Sequence, residues 1–163
     1  MKAVEIKKYD AIYHQQFKEI SLNWLHAYDL YEAADDDLLD NPQKYLDKGG
    51  RIFLAHCNNE IVGTVSLIPL GNKEFEIMKL GVLDDYKGLG IGRKLMQLCI
   101  DICQEEKVKL ITLETSSKLK SAIKMYLKFG FVDVEITVLK PRKCVFRSGF
   151  NEASFCSFAG CRR

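Results

Sequence analysis

Three glycines within five residues, Gly88, Gly90 and Gly92, stand between a β-rich run ending at Val82 and a stretch whose apolar residues recur at helical spacing. Glycine there lets the main chain turn sharply and approach a ligand closely, while the following helix presents unpaired N-terminal amides and the positive end of its dipole. A phosphate or pyrophosphate suits such a turn. Spacing excludes two nucleotide motifs. A P-loop needs G-x-x-x-x-G-K-[ST], and a dinucleotide fingerprint needs G-x-G-x-x-G with an acidic residue about 20 positions on. The run here is G-x-G-x-G. A strand-to-helix turn that merely requires glycine is the competing reading, because glycine spacing alone is weak evidence.

The flanking pattern predicts an α/β chain. Ala3 to Lys8 alternates as a first strand, and Phe17, Ile20, Leu22, Trp24 and Leu25 place a first helix over His14 to Tyr28. Asp35 to Asp37 precede a second, short helix near Tyr45, since carboxylates favour helix N-termini, and Gly49 and Gly50 end it. Arg51 to Cys57 and Ile61 to Leu70 form a hairpin about Asn58, Asn59 and Glu60, followed by a strand over Glu74 to Val82. Gly92 to Glu106 is an amphipathic helix, Lys109 to Glu114 a strand, Leu119 to Phe129 a helix closed by Gly130, and Val132 to Leu139 a strand. A last strand is expected at Cys144 to Gly149, with residues 1–150 as one domain and 151–163 as an unassigned tail.

Composition removes several function classes. The 24 basic and 22 acidic residues leave a formal charge of +2, too balanced for a protein that must neutralise several phosphates of a nucleic acid. The longest apolar run, Ile61 to Leu70, is too short for a helix that spans a membrane, and no secretory leader is evident. A cytoplasmic chain without a membrane partner is therefore expected. Six cysteines show no C-x-x-C pair and no zinc-type grouping, and Cys99 and Cys103 fit the apolar face of a helix. No metal is expected.

From Lys87 through Gly92 the sequence resembles the pyrophosphate-binding motif of the GCN5-related N-acetyltransferases, Gln/Arg-x-x-Gly-x-Gly/Ala. The strand Phe75 to Val82, the helix after the turn, the strand Leu110 to Glu114 and the run Ala122 to Phe131 are similar to that family's core in order and spacing. The likeness covers residues 3–139 and is strongest over 75–131; Lys87 departs from the usual Gln or Arg, and the stretch after Pro141 has no match.

That resemblance implies a mixed, mostly antiparallel central sheet with splayed strands and flanking helices, and acetyl-CoA as cosubstrate. The pantetheine arm would pair with the main chain of Leu80, Gly81 and Val82, and the pyrophosphate with the amides of Lys87, Gly88, Leu89, Gly90, Ile91, Gly92 and Arg93. Thr115, Ser116 and Ser117 would lie along the CoA path or cap the next helix, and Lys118, Lys120 and Lys128 are candidates for its 3'-phosphate or simply solvated. Acyl transfer to an amine requires a neutral amine and a proton for the leaving thiolate. Glu76, which interrupts an apolar strand eleven residues before Lys87, is the candidate base, and desolvation there would favour its protonated form. Its alternative is a solvated or ion-paired strand residue. Tyr126 is the candidate acid, with packing against the helix's apolar face as the alternative. His14, His26 and His56 receive no role.

Two function classes follow: a direct-attack N-acetyltransferase, and a CoA-binding sensor or interaction module on the same fold. Glu76 and Tyr126 favour the enzyme, since a sensor need keep neither. The acceptor is a small-molecule or peptide amine, and a homodimer is compatible with the pattern. Asp29, Glu32, Asp35, Asp36, Asp37 and Asp40 cluster where that family borders its acceptor site, and would attract a cation or form a solvated face.

Overall fold

The structure, a computed structural model, describes residues 3–134 and 144–149. Among the described residues, seven strands form one sheet in the order β1-β2-β3-β4-β5-β7-β6. They are β1 (Val4–Lys8), β2 (Arg51–Cys57), β3 (Glu60–Gly71), β4 (Glu74–Val82), β5 (Leu110–Thr115), β6 (Val132–Val134) and β7 (Cys144–Gly149). All neighbours are antiparallel except β4 and β5. The helices are α1 (His14–Ala27), α2 (Asp35–Asp40), α3 (Pro42–Leu46), α4 (Ile91–Glu105) and α5 (Lys120–Lys128). None of them is long and apolar enough to cross a membrane.

Helices cover both faces of the sheet. On one face Phe17, Ile20 and Leu25 of α1 and Leu38 and Leu39 of α2 pack on Ile52, Leu54 and Ile68. On the other, Ile91, Leu95, Met96, Cys99 and Cys103 of α4 pack on Phe53, Val65, Ile77 and Ile111, with Tyr126 of α5 completing the layer. The two helix cysteines are thus core residues, and burial pushes the Cys103 thiol up to about 12, which keeps it protonated and inert.

Both hairpins turn on residues in left-handed backbone, a conformation that asparagine tolerates better than most residues. Asn58 and Asn59 (φ 51 and φ 64) join β2 to β3, and Asn72 and Lys73 (φ 51 and φ 60) join β3 to β4. The single short helix expected near Tyr45 is two helices. Pro42 occupies the first turn of α3, and the residue before a proline is driven out of helical geometry. Asn41 shows this at φ −127 and ψ 52. The expected strand Val132 to Leu139 is observed as β6 over Val132–Val134; its remainder and the tail 151–163 lie outside the described residues.

The parallel pairing of β4 with β5 is brief. It joins Glu74–Ile77 to Leu110–Leu113 and stops, although β4 continues to Val82 and β5 to Thr115. Against β3, Met78 faces Ser66 and Gly81 faces Thr64, so β4 carries one extra residue there, a β-bulge that re-aims the strand.

Candidate active site

The parted ends of β4 and β5 open a cavity of about 660 Å³. One wall is Leu80, Gly81 and Val82, whose main chain on the β5 side has no strand partner past Ile77. The floor is the glycine turn: Lys87, Gly88, Gly90, Ile91, Gly92 and Arg93 all line it. Leu89 belongs to the turn but does not line the cavity, and is half exposed. The spacing predicts α4 from Gly92; it begins at Ile91, with Gly90 as the residue before it in left-handed conformation at φ 75. The first helical bond runs from the Lys94 N–H to the Gly90 carbonyl at 3.0 Å, so the amides of Ile91, Gly92 and Arg93 have no helical carbonyl to bond. Gly90, the residue in the capping position, has no side chain to cap them. A Cβ added at Gly88 or Gly90 would meet nothing within 4 Å, so the space beside these two glycines is open. The geometry fits an anion at a helix N-terminus.

Gly81 has a different reason to be glycine. A Cβ there would lie 2.6 Å from both Cδ1 and Nε1 of Trp24, a residue of α1. The indole edge therefore lies against the β4 main chain. Its buried N–H has no hydrogen-bond partner among the described residues, nor has the buried Thr115 hydroxyl at the end of β5.

On the other side of the splay lies a second cavity of about 110 Å³, and Trp24, Met78, Lys79 and Thr115 are among the residues lining both. Glu76 lines the small cavity and Tyr126 the large one, so the two candidate catalytic residues approach the passage from opposite faces of the sheet. Glu76 is half-buried, in register with Ile68 of β3 and Thr112 of β5. Its charge, after the Asp37 hydrogen bond at 2.6 Å and burial, helps hold the nearby Tyr45 phenol up at about 12. Glu32, Asp35 and Glu114 join it around this cavity, and Lys79 adds an ammonium that pairs with Asp35.

Tyr126 is 6% exposed, with its ring 6.2 Å from that of Phe131. Burial pushes its phenol above the ordinary tyrosine value. That direction matters: the hydroxyl stays protonated at neutral pH and is a weaker acid than a free tyrosine, not one tuned toward pH 7.

Ser117 is exposed and lines neither cavity; Thr115, Lys118, Lys120 and Ser121 line the large one instead. Ser116 accepts the Lys118 N–H at 3.3 Å, while α5 has no side-chain cap. Lys87 turns its ammonium to Asp84 at 2.5 Å and over the Tyr28 ring at 5.9 Å, so its side chain is engaged at the rim. The sequence reading missed Trp24 and Tyr28, both at the C-terminal end of α1, where helical spacing marks only packing. Among the described residues no group of three or more His, Cys, Asp or Glu is placed to hold a metal ion.

Similarity to known proteins points to one family. The chain is 28% identical to N-acetyltransferase 8F1 of Rattus norvegicus over 100 residues, 58% of this chain and 45% of that protein. With the Mus musculus protein of the same name the figures are 29% over 106 residues, 61% and 48%. The chain thus spans about half the length of the curated relatives it matches. Among solved structures, an acetyltransferase of the GNAT family from Staphylococcus aureus Mu50 superposes with a TM-score of 0.81 at 29% identity, covering 91% of this chain and all (100%) of that one. A Salmonella typhimurium chain solved with its cofactor acetyl-CoA superposes at 0.72 and 17% identity, covering 92% and 95%, a likeness of fold. A model described as the Acetyltransferase (GNAT) family matches residues 11–131, and by that match the chain belongs to the GNAT acetyltransferase family.

Proposed function

We propose that the protein transfers the acetyl group of acetyl-CoA to the nitrogen of an amine by direct attack. The observation that carries this is the parting of β4 from β5 beyond Ile77, which turns unpaired strand main chain toward a cavity ending at open helix amides. An extended amide-bearing arm can pair with β4 as an added strand would. The amides of Ile91 to Arg93 and the Arg93 side chain suit the diphosphate.

The acceptor enters through the small cavity, whose carboxylates favour an ammonium over a neutral amine. An ammonium has no lone pair, so Glu76, directly or through a water, takes its proton. Nitrogen then attacks the thioester carbonyl carbon, the C–N bond forms, the C–S bond breaks, and the sulfur leaves with the electron pair. An ordinary thiol has a pKa of about 8.5. The Tyr126 phenol, held above its usual value by burial, is the weaker acid, so it steadies the sulfur by donating a hydrogen bond. The proton that finally neutralises the thiolate is supplied by the attacking nitrogen.

Calorimetry with acetyl-CoA should show saturable binding with a rise in Tm, because a ligand bound only by the folded state stabilises it. Absence of binding at millimolar acetyl-CoA would overturn the assignment. Binding without transfer to any of a panel of polyamines, amino sugars, amino acids and peptides would instead favour a CoA-binding module.

With a cognate amine, kcat/KM should rise with pH along an acid limb, and Glu76→Gln should flatten that limb and lower the rate. The amine's own deprotonation produces a similar limb at higher pH, so wild type and variant are compared with one acceptor. A limb that persists unchanged in Glu76→Gln returns the residue to a structural role.

A further inference from the structure

We propose that Lys79 and Asp35 are positioning residues, whose buried ion pair holds the β4 bulge and thereby aims the β4 main chain at the acetyl thioester. The inference rests on the acetyl-transfer reading above. Strict alternation would put Phe75, Ile77, Lys79 and Gly81 on one face of the sheet. The structure does otherwise: Phe75, Ile77, Leu80 and Val82 pack in the α4 layer, while Met78 packs in the α1 layer and Gly81 lies against Trp24. Lys79 is where the alternation breaks. Met78 and Lys79 both lie toward the α1–α2 face, where the Lys79 ammonium meets Asp35 at the start of α2.

Without this extra residue Gly81 would not face the indole, and the unpaired main chain from Leu80 to Val82 would turn its other edge to the cavity. Lys79 holds this geometry at φ 52. That is a left-handed conformation, which a lysine adopts at a cost the surroundings must offset. The Lys79 and Asp35 side chains have relative exposures of 5%/16%. Breaking the pair from either end therefore strands a charge largely away from water. Asp35 also accepts the Glu32 N–H at 2.8 Å, which ties the connection into α2 to the same carboxylate. A buried apolar pair of similar volume would stabilise at least as well, so what the ion pair contributes is one fixed geometry. Lys79 lines both cavities and Asp35 the smaller, which joins the acceptor side of the site to the strand that receives the thioester.

The test is isotope-edited infrared spectroscopy of the full chain loaded with acetyl-CoA carrying ¹³C at the thioester carbonyl, beside calorimetry of the same samples. In wild type the carbonyl band should sit below its position in buffer, the sign of a carbonyl polarised by donors. In Lys79→Met and in Asp35→Asn it should return toward the buffer position and acetyl-CoA Kd should weaken with it, because the same main chain pairs with the pantetheine arm, while the Kd of ADP, which carries the diphosphate without that arm, stays within about threefold. The double variant should move it no further, because both changes break one interaction. If Lys79→Met does not fold, Asp35→Asn carries the test alone. A wild-type band at the buffer position, variants whose band stays at the wild-type position, or variants that lose ADP binding together with the band would each overturn the proposal. Failure of wild type to bind acetyl-CoA at all would instead overturn the acetyl-transfer reading beneath it.

Discussion

Gly90→Val is expected to weaken acetyl-CoA binding by roughly 10²-fold or more while leaving a folded chain. Two effects add. Gly90 sits at φ 75. A β-branched residue in that conformation is strained by about 1–3 kcal/mol, a cost met either by distorting the turn or by lowering stability. The new methyl groups also occupy open space beside Gly90, which lines the same cavity as Ile91, Gly92 and Arg93. Each hydrogen bond from an amide to a charged phosphate contributes about 1.5–3 kcal/mol, so losing one or two gives the expected factor. A domain stability of roughly 5–15 kcal/mol survives the strain. Gly71→Val is the control: Gly71 has φ +91, has nothing within 4 Å of its Cβ position, and ends β3 outside both cavities. It should lower Tm comparably and leave Kd unchanged. If Gly90→Val binds acetyl-CoA as wild type does, the turn is not the diphosphate site.

The glycine turn was legible because its demand is local: the residues that must take left-handed backbone and leave space are the residues printed there. The same holds for Asn58 and Asn59 at the first hairpin, and for the helical spacing of α4. What stayed hidden is what distant residues do to one another. In Phe75 to Val82 the apolar residues Phe75 and Ile77 fall one position out of phase with Leu80 and Val82, a break in alternation that does not say which residue is the extra one. The bulge appears only when Ser66 and Thr64 of β3 pair across it. Gly81 reads as a weak point in a strand until Trp24, on a separate helix, fills the place of its missing Cβ. The hydroxyl run Thr115-Ser116-Ser117 posed the same problem: any of the three could face the large cavity, and the fold places Thr115 there, Ser116 at the small cavity and Ser117 in solvent.

Tyr126→Phe is expected to lower kcat on the order of 10²-fold with acetyl-CoA affinity nearly unchanged. The change keeps the ring and its packing on Phe131 and removes only the hydroxyl. In the ground state the thioester sulfur is a poor hydrogen-bond acceptor; charge builds on it as the C–S bond breaks. The hydroxyl therefore interacts far more strongly with the transition state than with bound acetyl-CoA, which is the condition for an effect on kcat and not on binding. A hydrogen bond to a developing charge in a buried site is worth up to about 3 kcal/mol, the size of the expected loss. Because burial raises the phenol's pKa, its ionisation lies well above the pH range of activity, and the wild-type kcat profile should show no alkaline fall from Tyr126 at neutral to mildly basic pH. A leaving thiolate with a lower pKa needs less help in departing. The penalty of Tyr126→Phe should accordingly shrink when the acyl donor is an acetyl thioester of a more acidic thiol, and a penalty independent of the leaving group would place the hydroxyl away from the sulfur.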